Sequence, residues 1–105
     1  MILYNVPGRT GINMTAETQL KLAHQFSNII ATKEASGNMD QIQSIIKSKP
    51  KNFTVISGDD NLTLAMIACG AMGVISVSAN AYPKQMSNMV RLDRKSTRLN
   101  SSHRT

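Results

Sequence analysis

The chain has 105 residues, enough for one domain or part of one, and is 41% hydrophobic with a formal charge of +6. One cysteine excludes an internal disulfide scaffold and fits a reducing, cytoplasmic setting; no charged start with a long apolar run marks a signal peptide, and no apolar stretch approaches the ~20 residues of a membrane span. The charge could suggest a nucleic-acid partner, but its distribution weakens that reading: residues 93–105 hold four Lys or Arg and one Asp, residues 1–92 hold eight against five, and no aromatic platform accompanies them.

In chain order, Ile2–Val6 is a short apolar run closed by Pro7-Gly8, which predicts a buried strand and a turn. Thr15 is placed to cap a helix running to about Phe26, with Ala16, Leu20 and Ala23 on one face. Glu17, Lys21 and His24 form the opposite, solvated stripe. Ile29–Lys33 is the second strand, followed by a loop, Glu34–Gly37, and a helix from about Met39 to Lys47 with Ile42, Ile45 and Ile46 on its apolar side. Lys47, Lys49 and Lys51 follow where cations favour a helix C-terminus. Phe53–Ser57 is the third strand. Asp60 is placed to cap the next helix, Leu62–Cys69, in which Cys69 packs as a small hydrophobe before Gly70 closes it. Gly73–Val77 is the fourth strand, and Pro83 suits the first turn of a last helix.

The order βαβαβαβα, with near-continuous apolar strands and amphipathic helices, predicts an α/β fold of parallel strands covered by helices. Four such units make half of a (β/α)₈ TIM barrel or a small open sheet, and periodicity alone does not choose between them. A whole barrel takes about 250 residues. In either fold reactive groups gather at the carboxyl ends of the strands. There Lys33 follows Ile-Ile-Ala-Thr, where burial would disfavour its ammonium form and leave neutral amine to attack a carbonyl. A lysine reaching water or pairing with Glu34 is the bland reading of the same spacing.

Tyr4-Asn5-Val6-Pro7-Gly8-Arg9-Thr10-Gly11, then Lys33-Glu34-Ala35-Ser36-Gly37, Ser57-Gly58-Asp59-Asp60 and Gly73–Val77, resemble in order the signatures of the dihydrodipicolinate synthase and N-acetylneuraminate lyase superfamily. The resemblance covers residues 1–92 and implies an incomplete TIM barrel, its C-terminal half, from a class I aldolase that uses pyruvate. It implies that Lys33 forms an imine with pyruvate and that Tyr4 relays protons. It further implies that Arg9 grips the carboxylate of aspartate semialdehyde, while Gly58 and the backbone of Ile75 line the pyruvate pocket. The reaction would give 4-hydroxy-tetrahydrodipicolinate, for lysine and diaminopimelate synthesis, without metal or cofactor. Asp59 and Asp60 are too few oxygen ligands for a hard cation. The runner-up is another pyruvate lyase of the superfamily, acting on a sialic acid or a keto-deoxy sugar acid; Arg9 favours the first.

The family's pyruvate-carboxylate loop, its second relay tyrosine, exchanged between neighbouring subunits of a homotetramer, and most of its inhibitory lysine site have no counterpart here. The 105 residues alone are therefore expected to be inactive and poorly stable. Asp93–His103 resembles the in-frame translation of a common sequencing adapter, so residues 93–105 are expected to be an artefactual or disordered tail beyond a last helix cut at Leu92. His103 gets no functional weight. A small basic binding module using Lys47, Lys49, Lys51 and the tail is the reading from another class.

Overall fold

A computed structural model describes residues 1–102, with side chains described through residue 96. Four parallel strands, β1 (Ile2–Asn5), β2 (Ala31–Glu34), β3 (Thr54–Ser57) and β4 (Gly73–Val74), pair in sequence order. Between them lie α1 (Pro7–Thr10), α2 (Ala16–Gln25), α3 (Met39–Ser48) and α4 (Thr63–Cys69), and α5 (Pro83–Ser102) follows. Consecutive parallel neighbours joined by helices form a segment of a (β/α)₈ barrel.

Register sorts the side chains into two faces, because successive residues of a strand point to opposite sides. Thr32 pairs with Leu3 and Val55, and Glu34 with Asn5 and Ser57; in these rows Thr32, Val55, Glu34, Asn5 and Ser57 are all buried under the helices. Lys33 pairs with Tyr4 and Ile56, and this row lies on the opposite, more open face. The core between sheet and helices gathers Ala23 of α2, Ile42 and Ile45 of α3, Val55 of β3 and Met66 of α4, with Ile29, Phe53 and Ala71. Ile42 and Ile45, both fully buried, stabilise the fold by about 1.5–3 kcal/mol each. Ile2, Tyr4, Ile75 and Val77 remain exposed, although they are large and mainly apolar.

Local chemistry explains where the elements start and stop. Thr15 caps α2 as expected, its side chain accepting the Thr18 N–H at 3.3 Å. The Pro7-Gly8 turn is a short helix instead: Pro7 occupies its first position and Gly11, at φ 77°, closes it in the left-handed conformation glycine tolerates. Strand β4 is shorter than Gly73–Val77. The Ile75 N–H still donates to the Ser57 carbonyl at 3.0 Å, but Ser76 Oγ then accepts the Ala79 N–H at 3.0 Å and bends the chain into a 3-10 turn, Ser78–Asn80.

Asp60 does not cap α4 with its side chain. It begins a 3-10 turn, Asp60–Leu62, and its Oδ2 accepts the Ser78 N–H at 2.9 Å, tying the loop after β3 to the loop after β4. Helix α5 continues beyond Leu92 to Ser102, a stretch free of the Pro and Gly that stop helices. His103 lies outside the described residues.

Candidate active site

Tyr4 and Lys33 meet at the carboxyl ends of β1 and β2. They are register partners, so their side chains leave the same face of adjacent strands, and the Lys33 ammonium sits 4.1 Å from the centroid of the Tyr4 ring. A cation over an aromatic face is worth about 0.5–1 kcal/mol where water has access. Lys33 is half-buried and Tyr4 is 45% exposed, so the amine is not sealed in the apolar surroundings that strand-end placement suggested. Nor does it pair with Glu34. That residue is the last of β2 rather than the first of a loop, and its side chain leaves the opposite face.

Gly58 stands directly against the lysine stem. A Cβ there would come within 3.2 Å of Lys33 Cε, 3.2 Å of the Glu34 carbonyl oxygen and 2.7 Å of Ala35 Cβ, so only glycine fits without movement. Its N–H donates to the Glu34 carbonyl at 2.8 Å, which fixes the approach of β3 to β2. The Ile75 backbone is held to the end of β3 by its bond to Ser57, and its side chain is half exposed. Arg9 stands on α1, beyond the end of β1, with an exposed side chain; among the described residues its guanidinium makes no ion pair or hydrogen bond. The structure thus brings Tyr4, Lys33 and Gly58 into one cluster and holds Ile75 and Arg9 on neighbouring strand-end segments.

The Ser76 hydroxyl first, then the Ser78 backbone N–H, hold the Asp60 carboxyl below its ordinary value, against a smaller opposing effect of burial. Its Oδ2 accepts the Ser78 N–H at 2.9 Å, and its Oδ1 is buried without a hydrogen-bond partner among the described residues. A separate groove between β4 and α5, lined by Met72, Val74, Pro83, Met86 and Val90, contains none of the candidate residues. His24 is exposed, as expected of the solvated stripe, and its Nε2 lies 3.0 Å from the Ser48 carbonyl.

The reading from sequence missed a buried polar group behind the site. Asn5, Gln19, Thr32 and Glu34 are each no more than 2% exposed and are hydrogen-bonded to one another. A signal was present: Gln19 is three residues after Ala16 and four before Ala23, on the apolar stripe of α2, where a polar side chain needs a buried partner.

The parallel sheet wound with helices, with a lysine over an aromatic ring at its strand ends, defines a segment of a (β/α)₈ barrel. A model of the Dihydrodipicolinate synthetase family matches residues 1–102, and the chain belongs to that family. The 4-hydroxy-tetrahydrodipicolinate synthase of Phocaeicola vulgatus is 64% identical over 92 residues, covering 88% of this chain and 31% of the relative. The crystal structure of dihydrodipicolinate synthase from Aquifex aeolicus superposes with a TM-score of 0.88 at 41% identity, over 97% of this chain and 35% of that one. The chloride-inhibited dihydrodipicolinate synthase of Acinetobacter baumannii, complexed with pyruvate, superposes with a TM-score of 0.83 at 35% identity, over 93% and 35%. The chain therefore spans about a third of the length of the relatives it matches.

Proposed function

We propose that residues 1–92 supply the imine-forming part of an enzyme that condenses pyruvate with aspartate semialdehyde to 4-hydroxy-tetrahydrodipicolinate. The observation that carries this reading is the Lys33 amine, 4.1 Å over the Tyr4 ring on paired strand ends, with Gly58 against its stem. Lys33 would leave the ring and, as the neutral amine, add to the ketone carbon of pyruvate; water leaves and an imine forms. The imine draws electrons from the adjacent methyl group, which loses a proton, and the enamine carbon then bonds to the aldehyde carbon. The Tyr4 phenol, beside the amine, is the group to pass protons in these steps.

Gly58 leaves room for the substrate and the lysine stem, while the Ile75 backbone forms part of the pocket wall. The exposed guanidinium of Arg9 can hold a carboxylate by two hydrogen bonds. All the chemistry assigned here uses side chains and an imine, so the proposal includes no metal or cofactor. The pyruvate complex of the Acinetobacter baumannii relative supports the first substrate. The name of the Phocaeicola vulgatus relative supports the product.

Activity is assigned to the complete polypeptide, a cytoplasmic homotetramer in this reading, and not to the 105 residues alone. Four strands do not close a barrel, and the face bearing Tyr4 and Lys33 is open. Residues 93–105 are assigned no part in this reading.

The test is a completed chain, in which residues 1–92 replace the matching part of the Phocaeicola vulgatus relative. Borohydride reduction with pyruvate should leave an adduct on Lys33, located by peptide mass spectrometry; an unmodified Lys33 refutes the imine chemistry. Turnover with aspartate semialdehyde and not N-acetylneuraminate separates the leading reading from its superfamily alternative, which Arg9 disfavours.

A further inference from the structure

Directly behind the Tyr4–Lys33 pair, on the helix side of the sheet, Glu34 is fully buried and meets no cation among the described residues. Its Oε1 accepts from Asn5 Nδ2 at 2.7 Å, Gln19 Nε2 at 2.7 Å and Gln41 Nε2 at 3.0 Å, and its Oε2 accepts from Ser36 Oγ at 2.7 Å. A buried carboxylate without a counter-ion is stabilised only by donors converging on it.

The orientation of those donors is fixed by the backbone of one residue. The Met14 N–H donates to Asn5 Oδ1 at 2.9 Å, which turns the Asn5 amide so that its NH₂ faces Glu34. The Met14 carbonyl, which can only accept, takes Gln19 Nε2 at 2.8 Å and Gln41 Nε2 at 3.1 Å, which turns both of those NH₂ groups the same way. The site at Oε1 is therefore made of donors alone, and an acceptor has to fill it.

The placement of this cradle gives it a role. Asn5 directly follows Tyr4, Glu34 directly follows Lys33, and Asn5 and Glu34 are register partners. Their 2.7 Å bond locks the two strands one residue beyond the Tyr4–Lys33 contact. The segment from Val6 to Met14, which carries Arg9, returns into the same cradle through Met14 and through Asn13, whose Oδ1 accepts from Asn5 Nδ2 at 2.9 Å. We propose that Glu34, clamped to Asn5, is a positioning residue that holds the Lys33 amine against Tyr4 and anchors the loop bearing Arg9. The catalytic consequence rests on the imine reading given above; the geometric one does not.

Two substitutions in the completed chain separate geometry from charge. In Glu34→Gln the side-chain oxygen still accepts from the amides, and its NH₂ donates to Ser36 once that hydroxyl turns around. Glu34→Ala leaves three amide donors facing nothing. One readout is independent of activity: the ε-CH₂ signal of Lys33, labelled with carbon-13 and identified by its loss in Lys33→Arg, is shifted upfield by the Tyr4 ring. The other is the rate of borohydride trapping with pyruvate.

Glu34→Gln should keep the shifted signal and trap within roughly tenfold of the parent, whereas Glu34→Ala should lose the shift and trap on the order of 10²-fold more slowly, as for a displacement of about 1 Å. A folded Glu34→Ala protein with parental shift and rate overturns the proposal. So does a folded Glu34→Gln protein that has lost both. If Glu34→Ala does not fold, Asn5→Ser, which removes the cross-strand clamp together with the Asn5 bonds to Asn13 and Met14, is read against the same two outcomes. A parent chain that shows the shifted signal but no adduct refutes the imine reading, and the signal in the variants still decides the positioning role.

Discussion

Adding one methyl group at Gly58 should disturb both the stability and the chemistry of this site. The new Cβ of Gly58→Ala would lie 2.7 Å from Ala35 Cβ, where carbon atoms in contact prefer about 3.5–4.0 Å, so roughly 1 Å of separation has to be found. Little nearby can yield. Ala35 Cβ is joined directly to the backbone, and the Glu34 carbonyl, 3.2 Å from the new atom, accepts the bond from residue 58 itself at 2.8 Å. The third neighbour, at 3.2 Å, is Lys33 Cε, one bond from the amine.

Relief therefore comes from moving the end of β3 away from β2 or from displacing the lysine stem. Overpacking of this kind costs about 1–3 kcal/mol. A lysine displaced by about 1 Å should form its imine on the order of 10²-fold more slowly. Urea denaturation of the completed chain measures the first quantity, and borohydride trapping with pyruvate the second. A Gly58→Ala protein within about 0.5 kcal/mol of the parent, as for an uninvolved surface position, and trapping at the parental rate would refute the close-packed reading.

Lys33→Ala should abolish the pyruvate adduct altogether, and an adduct on another lysine would remove Lys33 from the mechanism. Tyr4→Phe keeps the ring under the ammonium but removes the hydroxyl. Stability to urea should therefore change little, while turnover should fall by about 10²–10⁴-fold, the usual worth of a proton-transferring group; unchanged turnover would reduce Tyr4 to packing. Asp60 has a folded-state pKa below its ordinary 3.8, so its stabilising effect is fully present above that value and is lost as pH falls through the lower folded value. The stability gap between parent and Asp60→Asn should thus be constant above 3.8 and narrow below it; a gap independent of pH in acid melts would contradict the Ser76 and Ser78 contacts. Ile42→Ala, at a fully buried position of α3, should destabilise by about 2–5 kcal/mol in urea, and a loss under 1 kcal/mol would place Ile42 outside the core.

The repeating βα order was readable because each strand is a short apolar run and each long helix carries an apolar stripe. The four ordered motifs single out Tyr4, Arg9, Lys33, Gly58 and Ile75 as candidates, and strand register brings Tyr4, Lys33 and Gly58 together. Register was not readable. Lys33 and Glu34 are neighbours in the chain, and only the pairing of β2 with β1 and β3 shows that one reaches the open face while the other is buried under α2 and α3. The Asp60 contact was also hidden, since it joins residues 18 apart in sequence and competes with an equally reasonable helix cap. Strand β4 ended early because Ser76 Oγ accepts the Ala79 N–H and the Ser78 N–H turns to Asp60, contacts that Val74, Ile75 and Val77 do not announce. Gln19 was the clearest missed cue, because the apolar residues of α2 drew attention from the one polar residue on their own face.

The Tyr4–Lys33 contact also makes the chain an optical reporter of where that lysine sits. The sequence has no tryptophan and two tyrosines, so ultraviolet emission comes from Tyr4 and Tyr82. Tyr82 is exposed and lies before α5, whereas Tyr4 carries a positive charge over its ring. Any event that neutralises Lys33 or draws it away, including capture of a ketone, alters the environment of one of the two emitters. The position of the amine against the ring can then be followed by light, without a label.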